Sequence, residues 1–261
     1  DTTEQVTFQP AATQPAVYLA QQVGDPDPDK DPDTEDGDVR AQLLKFQVGG
    51  TPPAPQPGEA NYGDGRVFSK TLGPEVESVH ATATGPDGSV YMLADVADTV
   101  GEQTLRGQKD VALLKYDSAG QLVYARTLGA EGEASGLALS VSADGKVAVA
   151  GKVTGGLTTG GVGATATAQA VTTYSEGDDP EVADSFVTLY NADGEEVWTQ
   201  RKGARAEDEA TSVAFGADGS VYVGGKTRST MPTAAGAVGG WDGYLRGYAA
   251  NGTPKFATQF G

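Results

Sequence analysis

The stretch Asp110–Gly129, DVALLKYDSAGQLVYARTLG, decides the fold, because its pattern returns twice further along the chain. The second copy is Asp184–Gly203, DSFVTLYNADGEEVWTQRKG, and the third is Asp242–Gly261, DGYLRGYAANGTPKFATQFG. In each copy an aspartate and a glycine stand 10 residues apart, and a second glycine follows 9 residues later. A repeat of this kind indicates an architecture before the role of any single residue is considered.

A second kind of segment alternates with the first. It carries apolar and polar residues in alternation on both sides of an Asp-Gly pair, at Asp87–Gly88, Asp144–Gly145 and Asp218–Gly219. Alternation around Asp-Gly predicts a β-hairpin, and both residue types suit a turn that needs tolerance of positive φ. We find no convincing helical periodicity in the sequence.

The first 75 residues contain a weaker copy of both segments. Gln5–Phe8 and Ala16–Ala20 resemble one hairpin, and Ala41–Phe46 with Arg66–Gly73 resembles the other, interrupted by a Pro/Gly-rich stretch at 47–65. The chain therefore holds four units of two hairpins each. Four antiparallel strands per serial unit predict an all-β, β-propeller-like array, either a closed four-bladed ring or an arc of a larger propeller. A β-sandwich or two small sheets is the alternative.

We divide the chain into two parts on this basis. Residues 1–37 hold the degenerate first hairpin and an acidic Asp/Pro loop, and residues 38–261 hold the repeated blades, with insertions at 47–65 and 154–183. The chain opens at Asp1 without a recognisable leader and stops where another repeat would add its next strand. We therefore expect a piece of a longer protein.

The composition of the chain limits the classes of molecule that it could bind. The 261 residues include 36 acidic and 18 basic side chains, a formal net charge of −18, which disfavours binding to nucleic acid. There is no cysteine, which excludes disulfides and thiolate zinc sites and is compatible with an exported bacterial protein. No apolar run approaches the roughly 20 residues of a membrane-spanning helix, so we expect no membrane insertion.

The amino-acid pattern of the repeat resembles that of a known bacterial family. The segments Asp184–Gly194 and Ala210–Thr227, the latter ending in VYVGGKT, are similar to the SBBP-type β-propeller repeat, and the likeness extends over residues 76–261. Arg40 stands where that repeat has Asp, and Ala94 replaces a strand-end Gly. The stretch 203–211, GARAEDEAT, also resembles large alphaproteobacterial repeat proteins linked to flagella. These resemblances imply a propeller and leave the function open.

The densest set of possible ligands for a metal lies in the acidic loop at residues 25–38. Alternate carboxylates are the hard oxygen ligands that Ca²⁺ prefers. The candidate ligands are Asp25, Asp27, Asp29, Asp31 and Asp33. Lys30 stands where a calcium loop starting at Asp25 needs glycine, and a solvated acidic loop is the alternative reading. Ca²⁺ is the one cofactor that the sequence suggests.

Other recurring residues are better explained by the fold than by chemistry. Asp110, Asp184 and Asp242 recur at the start of a strand, which favours a bond to the preceding turn over a catalytic trio. The closing glycines are interpreted as turn residues. Two aromatic sets are expected to be buried, between blades or in the core. They are Tyr116, Tyr190, Tyr248 and Phe46, and Tyr124, Trp198 and Phe256. His80 is the only histidine, which leaves no second imidazole for a metal.

The sequence thus favours a non-enzymatic propeller outside the cell or at its surface. We expect it to act through a protein partner or through self-assembly, and the resemblance suggests a flagellum-associated structure as the setting. One alternative is a carbohydrate-active hydrolase or lyase that uses carboxylates in the central channel. Another is a calcium-dependent adhesion module that uses the 25–38 loop, for which a Ca²⁺-dependent melting shift abolished by Asp27→Asn and Asp29→Asn is the test.

Overall fold

The computed structural model describes residues 4–9, 16–24, 39–47, 66–155, 157–158, 182–202, 206–228, 230 and 240–261. This part of the chain forms strands β1–β17 and contains no helix, so no helix in it is long and apolar enough to cross a membrane. The strands form four antiparallel sheets, and pairing within each sheet follows the order of the chain, apart from one short strand that pairs with the edge of an earlier sheet. The predicted four four-stranded antiparallel units are confirmed.

The strand bounds define the four sheets. Sheet 1 contains β1 (Glu4–Gln9), β2 (Ala16–Gly24), β3 (Val39–Gln47) and β4 (Arg66–Thr71). Sheet 2 contains β5 (Val76–Thr84), β6 (Val90–Val96), β7 (Asp110–Tyr116) and β8 (Leu122–Ala130), and the short β11 (Leu157–Thr158) pairs with the end of β8. Sheet 3 contains β9 (Ala134–Val141), β10 (Val147–Val153), β12 (Asp184–Tyr190) and β13 (Glu196–Lys202). Sheet 4 contains β14 (Asp208–Phe215), β15 (Val221–Thr227), β16 (Asp242–Tyr248) and β17 (Pro254–Phe260).

The first hairpin of the chain belongs to sheet 1. Strands β1 and β2 pair with each other, β2 pairs with β3, and β3 pairs with β4. The expected division at residues 37 and 38 therefore falls inside one sheet. The weak copy in the first 75 residues forms a sheet with the same strand order as the three stronger copies.

The hairpin turns repeat one geometry in which a single glycine has positive φ. In the Asp-Gly turn of sheet 2, the Gly88 N–H donates to the Gly85 carbonyl and the Gly85 N–H donates to the Ser89 carbonyl. Gly88 has φ of 84° and closes a three-residue loop, a type I turn followed by a left-handed residue. The Asp87 carboxylate accepts the Ser89 N–H at 3.1 Å, which explains why Asp precedes the glycine.

The sheets stack in chain order as an open arc. The first strands of successive sheets, β1, β5, β9 and β14, contact one another in turn. Three apolar clusters fill the spaces between sheets 1 and 2, sheets 2 and 3, and sheets 3 and 4. Strict alternation sends neighbouring residues into different clusters: Met92 packs toward sheet 1, whereas Tyr91 and Leu93 pack toward sheet 3. The described sheets do not close into a ring.

A β-bulge in the first strand explains one departure from the repeat. In sheets 3 and 4 the bulge leaves no room at the facing glycines, where an added Cβ would lie 2.0 Å from the Ser135 or Glu209 carbonyl oxygen. These glycines are Gly151 and Gly225. In sheet 2 the register shifts twice along β5, and Ala94 occupies the same position, fully buried. Strand β5 thus bulges differently from β9 and β14, and in its sheet this position holds an alanine in place of glycine.

Candidate functional site

The predicted calcium ligands lie outside the described residues. Asp25, Asp27, Asp29, Asp31 and Asp33 all belong to the segment 25–38. Within the described ranges, no group of three or more His, Asp or Glu side chains is arranged to hold a metal ion. The calcium site therefore stays a prediction.

The three recurring aspartates accept hydrogen bonds from neighbouring segments of the chain. Asp110 accepts the Arg106 N–H at 3.0 Å and the Gly107 N–H at 3.2 Å, both from the preceding segment. Burial raises the pKa of Asp110 even though these two N–H groups favour its ionised form. Asp184 receives a hydrogen bond from Arg201 Nε at 2.7 Å, and Asp242 receives one from Gln259 Nε2 at 2.9 Å. All three carboxylates are engaged in holding strand ends together.

The closing glycines make room for these carboxylates. An added Cβ on Gly129 would lie 2.3 Å from Asp110 Oδ1, and one on Gly261 would lie 2.1 Å from Asp242 Oδ1. Neither glycine has positive φ. Their interpretation as turn residues is therefore wrong for these two positions: the aspartate and the closing glycine form one unit across paired strands. Gly203 lies outside the described residues.

His80 takes part in a polar cluster between sheets 2 and 3. Its Nε2 lies 2.9 Å from Asp95 Oδ2 and 2.9 Å from Ser78 Oγ. Asp95 also accepts the Ser135 hydroxyl at 2.9 Å and the Gly136 N–H at 3.1 Å. A Ser-His-Asp triad needs the serine and the aspartate on different ring nitrogens, whereas here both contact Nε2. The geometry supports a bridge between two sheets.

The Asp95 bridge is one of three polar contacts between successive sheets that start from the same position of the repeat. They start from the sixth residue of the second strand, counted from Val17, Val90 and Val147. Gln22 donates its amide to the Glu77 carbonyl, Asp95 accepts from Ser135 and Gly136, and Lys152 Nζ lies 3.0 Å from Glu209 Oε1. The corresponding residue of sheet 4 is Lys226, which stays within its own sheet, 3.0 Å from Glu209 Oε2. We call these contacts the inter-sheet bridges.

A cleft of about 680 Å³ lies between the turns of sheets 3 and 4. Its charged lining residues are Asp144, Lys146 and Asp218. Hydrogen bonds from Lys146 and then Ser142 lower the pKa of Asp144, and the Ser220 N–H with the Ser220 hydroxyl and Lys255 lowers that of Asp218 to about 2. A general acid needs a pKa raised toward neutrality, so the lowered pKa values do not suit these two carboxylates to that role.

The aromatic residues of the fourth strands contact the next sheet through a turn glycine. An added Cβ on Gly120 would meet Phe68, on Gly194 would meet Tyr124, and on Gly252 would meet Trp198, at 3.0, 2.8 and 2.8 Å. Trp198 Nε1 also donates to the Ala250 carbonyl at 3.0 Å. Each ring belongs to one sheet and each glycine to the following one. The packing of Tyr116, Tyr190 and Tyr248 between sheets is confirmed, whereas Phe46 is half-buried.

The outward side of sheet 4 carries an apolar surface that the described residues leave exposed. We call it the end face, defined by Tyr222, Lys226, Leu245, Phe256 and Phe260. Leu245 and Phe256 are each 40% exposed and Phe260 is 58% exposed. The register of β15, β16 and β17 places all five on the same side of the sheet.

Phe256 corrects the sequence-based expectation. It occupies the position of Tyr124 and Trp198 and was predicted to lie in the core, but no further turn glycine of the described chain covers its ring. The ring instead lies over Gly247, as Phe260 lies over Gly243, where an added Cβ would come within 2.4 and 2.5 Å of them. The exposed aromatics are therefore held flat against their own sheet. Only the missing neighbour distinguishes Phe256 from its buried counterparts.

Comparison with known proteins gives a strong relative. The chain is similar to the regulatory protein FlaEY of Caulobacter vibrioides. The two are 47% identical over 273 residues, which cover 100% of this chain and 27% of the relative. This chain thus spans about a quarter of the length of FlaEY. No family model matches the sequence.

Solved structures show weaker likenesses. A mutant β-fructofuranosidase of Microbacterium saccharophilum K-1 aligns with a TM-score of 0.35 at 10% identity, over 96% of this chain and 57% of that one. The haemagglutinin-neuraminidase ectodomain of parainfluenza virus 5 aligns with a TM-score of 0.42 at 12% identity, over 99% and 55%.

Proposed function

We propose that this chain is a non-enzymatic, propeller-like structural or protein-interaction module. The single observation that carries the proposal is the end face, an apolar surface with Leu245, Phe256 and Phe260 exposed on sheet 4. Contiguous apolar surface rimmed by polar residues is typical of protein interaction sites. Lys226 and Arg228 complete the rim, with their cationic groups 4.5 and 4.8 Å from the centre of the Trp241 ring.

The cellular setting of the proposal is a flagellum-associated assembly at the bacterial cell surface or outside the cell. Support comes from the relative FlaEY, which has a flagella-related name and shares 47% identity along this whole chain. The net charge of −18 suits a solvated protein that does not bind nucleic acid. Because this chain covers 27% of FlaEY, the module would act as one part of a larger protein of that kind.

The proposal can be tested in the bacterium that carries the gene. The variant Phe256→Ser/Phe260→Ser changes the end face, and Leu122→Ser/Val123→Ser is the matched control, because Leu122 and Val123 are 40% and 54% exposed on sheet 2. We expect reduced spreading in soft agar for the first variant and normal spreading for the second, at equal protein levels. Equal spreading of both variants and the wild type would refute the proposed role of the end face.

Two further measurements test the proposed location and the non-enzymatic assignment. A tagged protein should appear in the surface or medium fraction, and recovery in the cytoplasm alone would contradict the proposed location. Turnover of a glycoside substrate that depends on a single carboxylate would contradict the non-enzymatic assignment.

A further inference from the structure

Asn251 precedes Gly252 in the last hairpin turn of sheet 4, and the chain contains an Asn-Gly pair only there. The other asparagines, Asn61 and Asn191, precede tyrosine and alanine. Asparagine is a thermolabile residue because the backbone nitrogen of the following residue can attack its side-chain carbonyl. Glycine hinders this attack least, since it has no Cβ and adopts the widest range of backbone angles.

The side chain of Asn251 is exposed, and this exposure does not depend on the absence of a further sheet. The same position of the turn holds Ala119 in sheet 2 and Asp193 in sheet 3. Both residues are exposed although another sheet follows each of them. Water and base therefore reach Asn251 in the folded protein.

The turn holds this side chain close to the backbone nitrogen that would attack it. Asn251 Oδ1 accepts the Thr253 N–H at 3.1 Å, so the side chain folds back over the residue that follows it. The same N–H points at the oxygen on which negative charge develops when Cγ is attacked. The Gly252 N–H donates to the Ala249 carbonyl at 2.8 Å, and the attack requires this bond to open.

We propose that Asn251 is a site of spontaneous deamidation and isoaspartate formation. The Gly252 nitrogen loses its proton to base and bonds to Asn251 Cγ, and the Cγ–Nδ2 bond breaks as ammonia leaves. The resulting succinimide takes up one water. Cleavage of its new Cγ–N bond gives aspartate, and cleavage of the original backbone bond gives isoaspartate, whose main chain runs through Cβ and Cγ. None of these atoms belongs to the end face, so the modification needs no partner.

The isoaspartyl form disturbs the contact between sheets 3 and 4. Gly252 lies against the Trp198 ring, 2.8 Å from where its added Cβ would stand, and the Ala250 carbonyl accepts the Trp198 Nε1–H at 3.0 Å. The Gly252 carbonyl also accepts a hydrogen bond from Gln200 Nε2 at 3.4 Å. An extra methylene in the main chain between residues 250 and 252 displaces these partners relative to each other. The packing of Trp198 therefore loosens.

Deamidation to ordinary aspartate should leave the turn intact. Asp193 already occupies this position in sheet 3, and Tyr124 packs against the Gly194 that follows it. The variant Asn251→Asp thus has the charge of the product without the longer main chain, and it separates the two effects.

The first experiment follows the whole chain during incubation at mildly alkaline pH. Peptide mapping by mass spectrometry locates each amide that becomes a carboxylate, and isoaspartyl peptides elute separately from aspartyl ones. We expect Asn251 to convert at least about tenfold faster than Asn191, because the alanine after Asn191 raises the barrier to attack. Asn191 is the matched control, since its Oδ1 also accepts the N–H two residues on, at 3.1 Å. Equal rates, or no conversion at either position, would overturn the proposed site.

The second experiment measures Trp198 fluorescence in the Trp241→Phe background, which leaves one tryptophan. During incubation the emission should move to longer wavelength in proportion to the isoaspartate fraction, because the ring becomes more exposed. Freshly purified Asn251→Asp should emit at the unmodified wavelength. An isoaspartate fraction that grows without a shift would overturn the effect on the contact between sheets 3 and 4. A full shift in fresh Asn251→Asp would overturn the role of main-chain length and assign the effect to charge.

Discussion

Gly129 is a residue whose role depends on the side chains that crowd it, Asp110 and Arg106. The repeat indicated that a glycine must stand there, and the obvious reason was a turn. The structure gives another reason, since Asp110 Oδ1 occupies the space that a Cβ would need. Spacing alone could not identify this pair, because the two residues become neighbours only when β7 pairs with β8.

Replacing this glycine should be costly. We expect Gly129→Ala to lower the free energy of unfolding by about 2 kcal/mol, as overpacking of a tight site does. Gly240→Ala is the control and should change it by less than about 0.5 kcal/mol, since no atom lies within 4 Å of its added Cβ. Urea denaturation gives both values. The cost of Gly129→Ala should shrink in the presence of Asp110→Ala, and strictly additive costs would show that the two residues do not interact.

Glu209 provides a pH-dependent contribution. Burial alone would raise its pKa, but hydrogen bonds from Lys152 and Lys226 outweigh burial and lower it below the ordinary 4.5. The carboxylate therefore stabilises the fold above pH 4.5, and this contribution is lost as the pH falls below that value through the folded pKa. Glu209→Gln should cost up to about 1 kcal/mol at pH 7 and progressively less as the pH falls below 4.5.

The measurement for Glu209 is urea denaturation at several pH values. Glu207→Gln is the matched control, because Glu207 has only an exposed pair with Arg228, at 3.4 Å. A cost of Glu209→Gln that does not change between pH 7 and pH 3 would show that its ion pairs do not contribute.

At the scale of the hairpin, two turn glycines of sheet 4 should differ in their tolerance of a side chain. Gly219 and Gly252 have φ of 76° and 83°, so alanine costs about 1–2 kcal/mol of backbone strain at either position. Gly252 also lies against Trp198, whereas the nearest atom to Gly219 is an ordinary contact at 3.6 Å. Gly252→Ala should therefore be the more destabilising by about 1 kcal/mol or more.

Thermal unfolding compares the two variants, and tryptophan fluorescence checks the cause. Trp198 is 1% exposed, and Trp241→Phe removes the other tryptophan signal. Emission from Trp198 should move to longer wavelength in Gly252→Ala and stay in place in Gly219→Ala. Equal stability of the two variants would show that the ring adjusts without cost.

The hairpins were the most predictable elements. Asp-Gly pairs and their alternating flanks located the first two strands of sheets 2, 3 and 4, because turn geometry is a local property. The partner of each strand also followed, since meander sheets join neighbours in the chain. Strand β11 was not predicted: Leu157 and Thr158 pair with Ala130 and Gly129 only because the chain passes that edge of sheet 2.

The sequence pattern predicted the burial of Phe256 wrongly, because burial depends on contact between sheets. Its repeat position is that of Trp198, and position alone predicts burial. Burial of such a ring depends on a following sheet, which the described chain does not supply. The same limit applies to the inter-sheet bridges, because Asp95 and Ser135 lie 40 residues apart and meet only through stacking.

At the scale of the whole molecule, net charge should oppose the compact fold through repulsion among the excess carboxylates. The chain carries −18, so raising NaCl from about 0.02 M to about 0.2 M, which shortens the Debye length from roughly 20 Å to roughly 7 Å, should raise the melting temperature. Differential scanning calorimetry measures the change. A lower melting temperature at the higher salt concentration would show that ion pairs within the chain contribute more than general repulsion.

The inter-sheet bridges differ in chemistry from one junction to the next, and this difference disfavours stacking in the wrong order. Sheets with similar apolar faces risk stacking on the wrong neighbour while the protein folds. A sheet 2 that skipped sheet 3 would set Asp95 against Glu209, two carboxylates, in place of the hydroxyl of Ser135. An amide at the first junction, a carboxylate at the second and an ammonium at the third thus distinguish surfaces that their apolar residues leave alike. These three polar side chains therefore favour the native order in which the sheets stack.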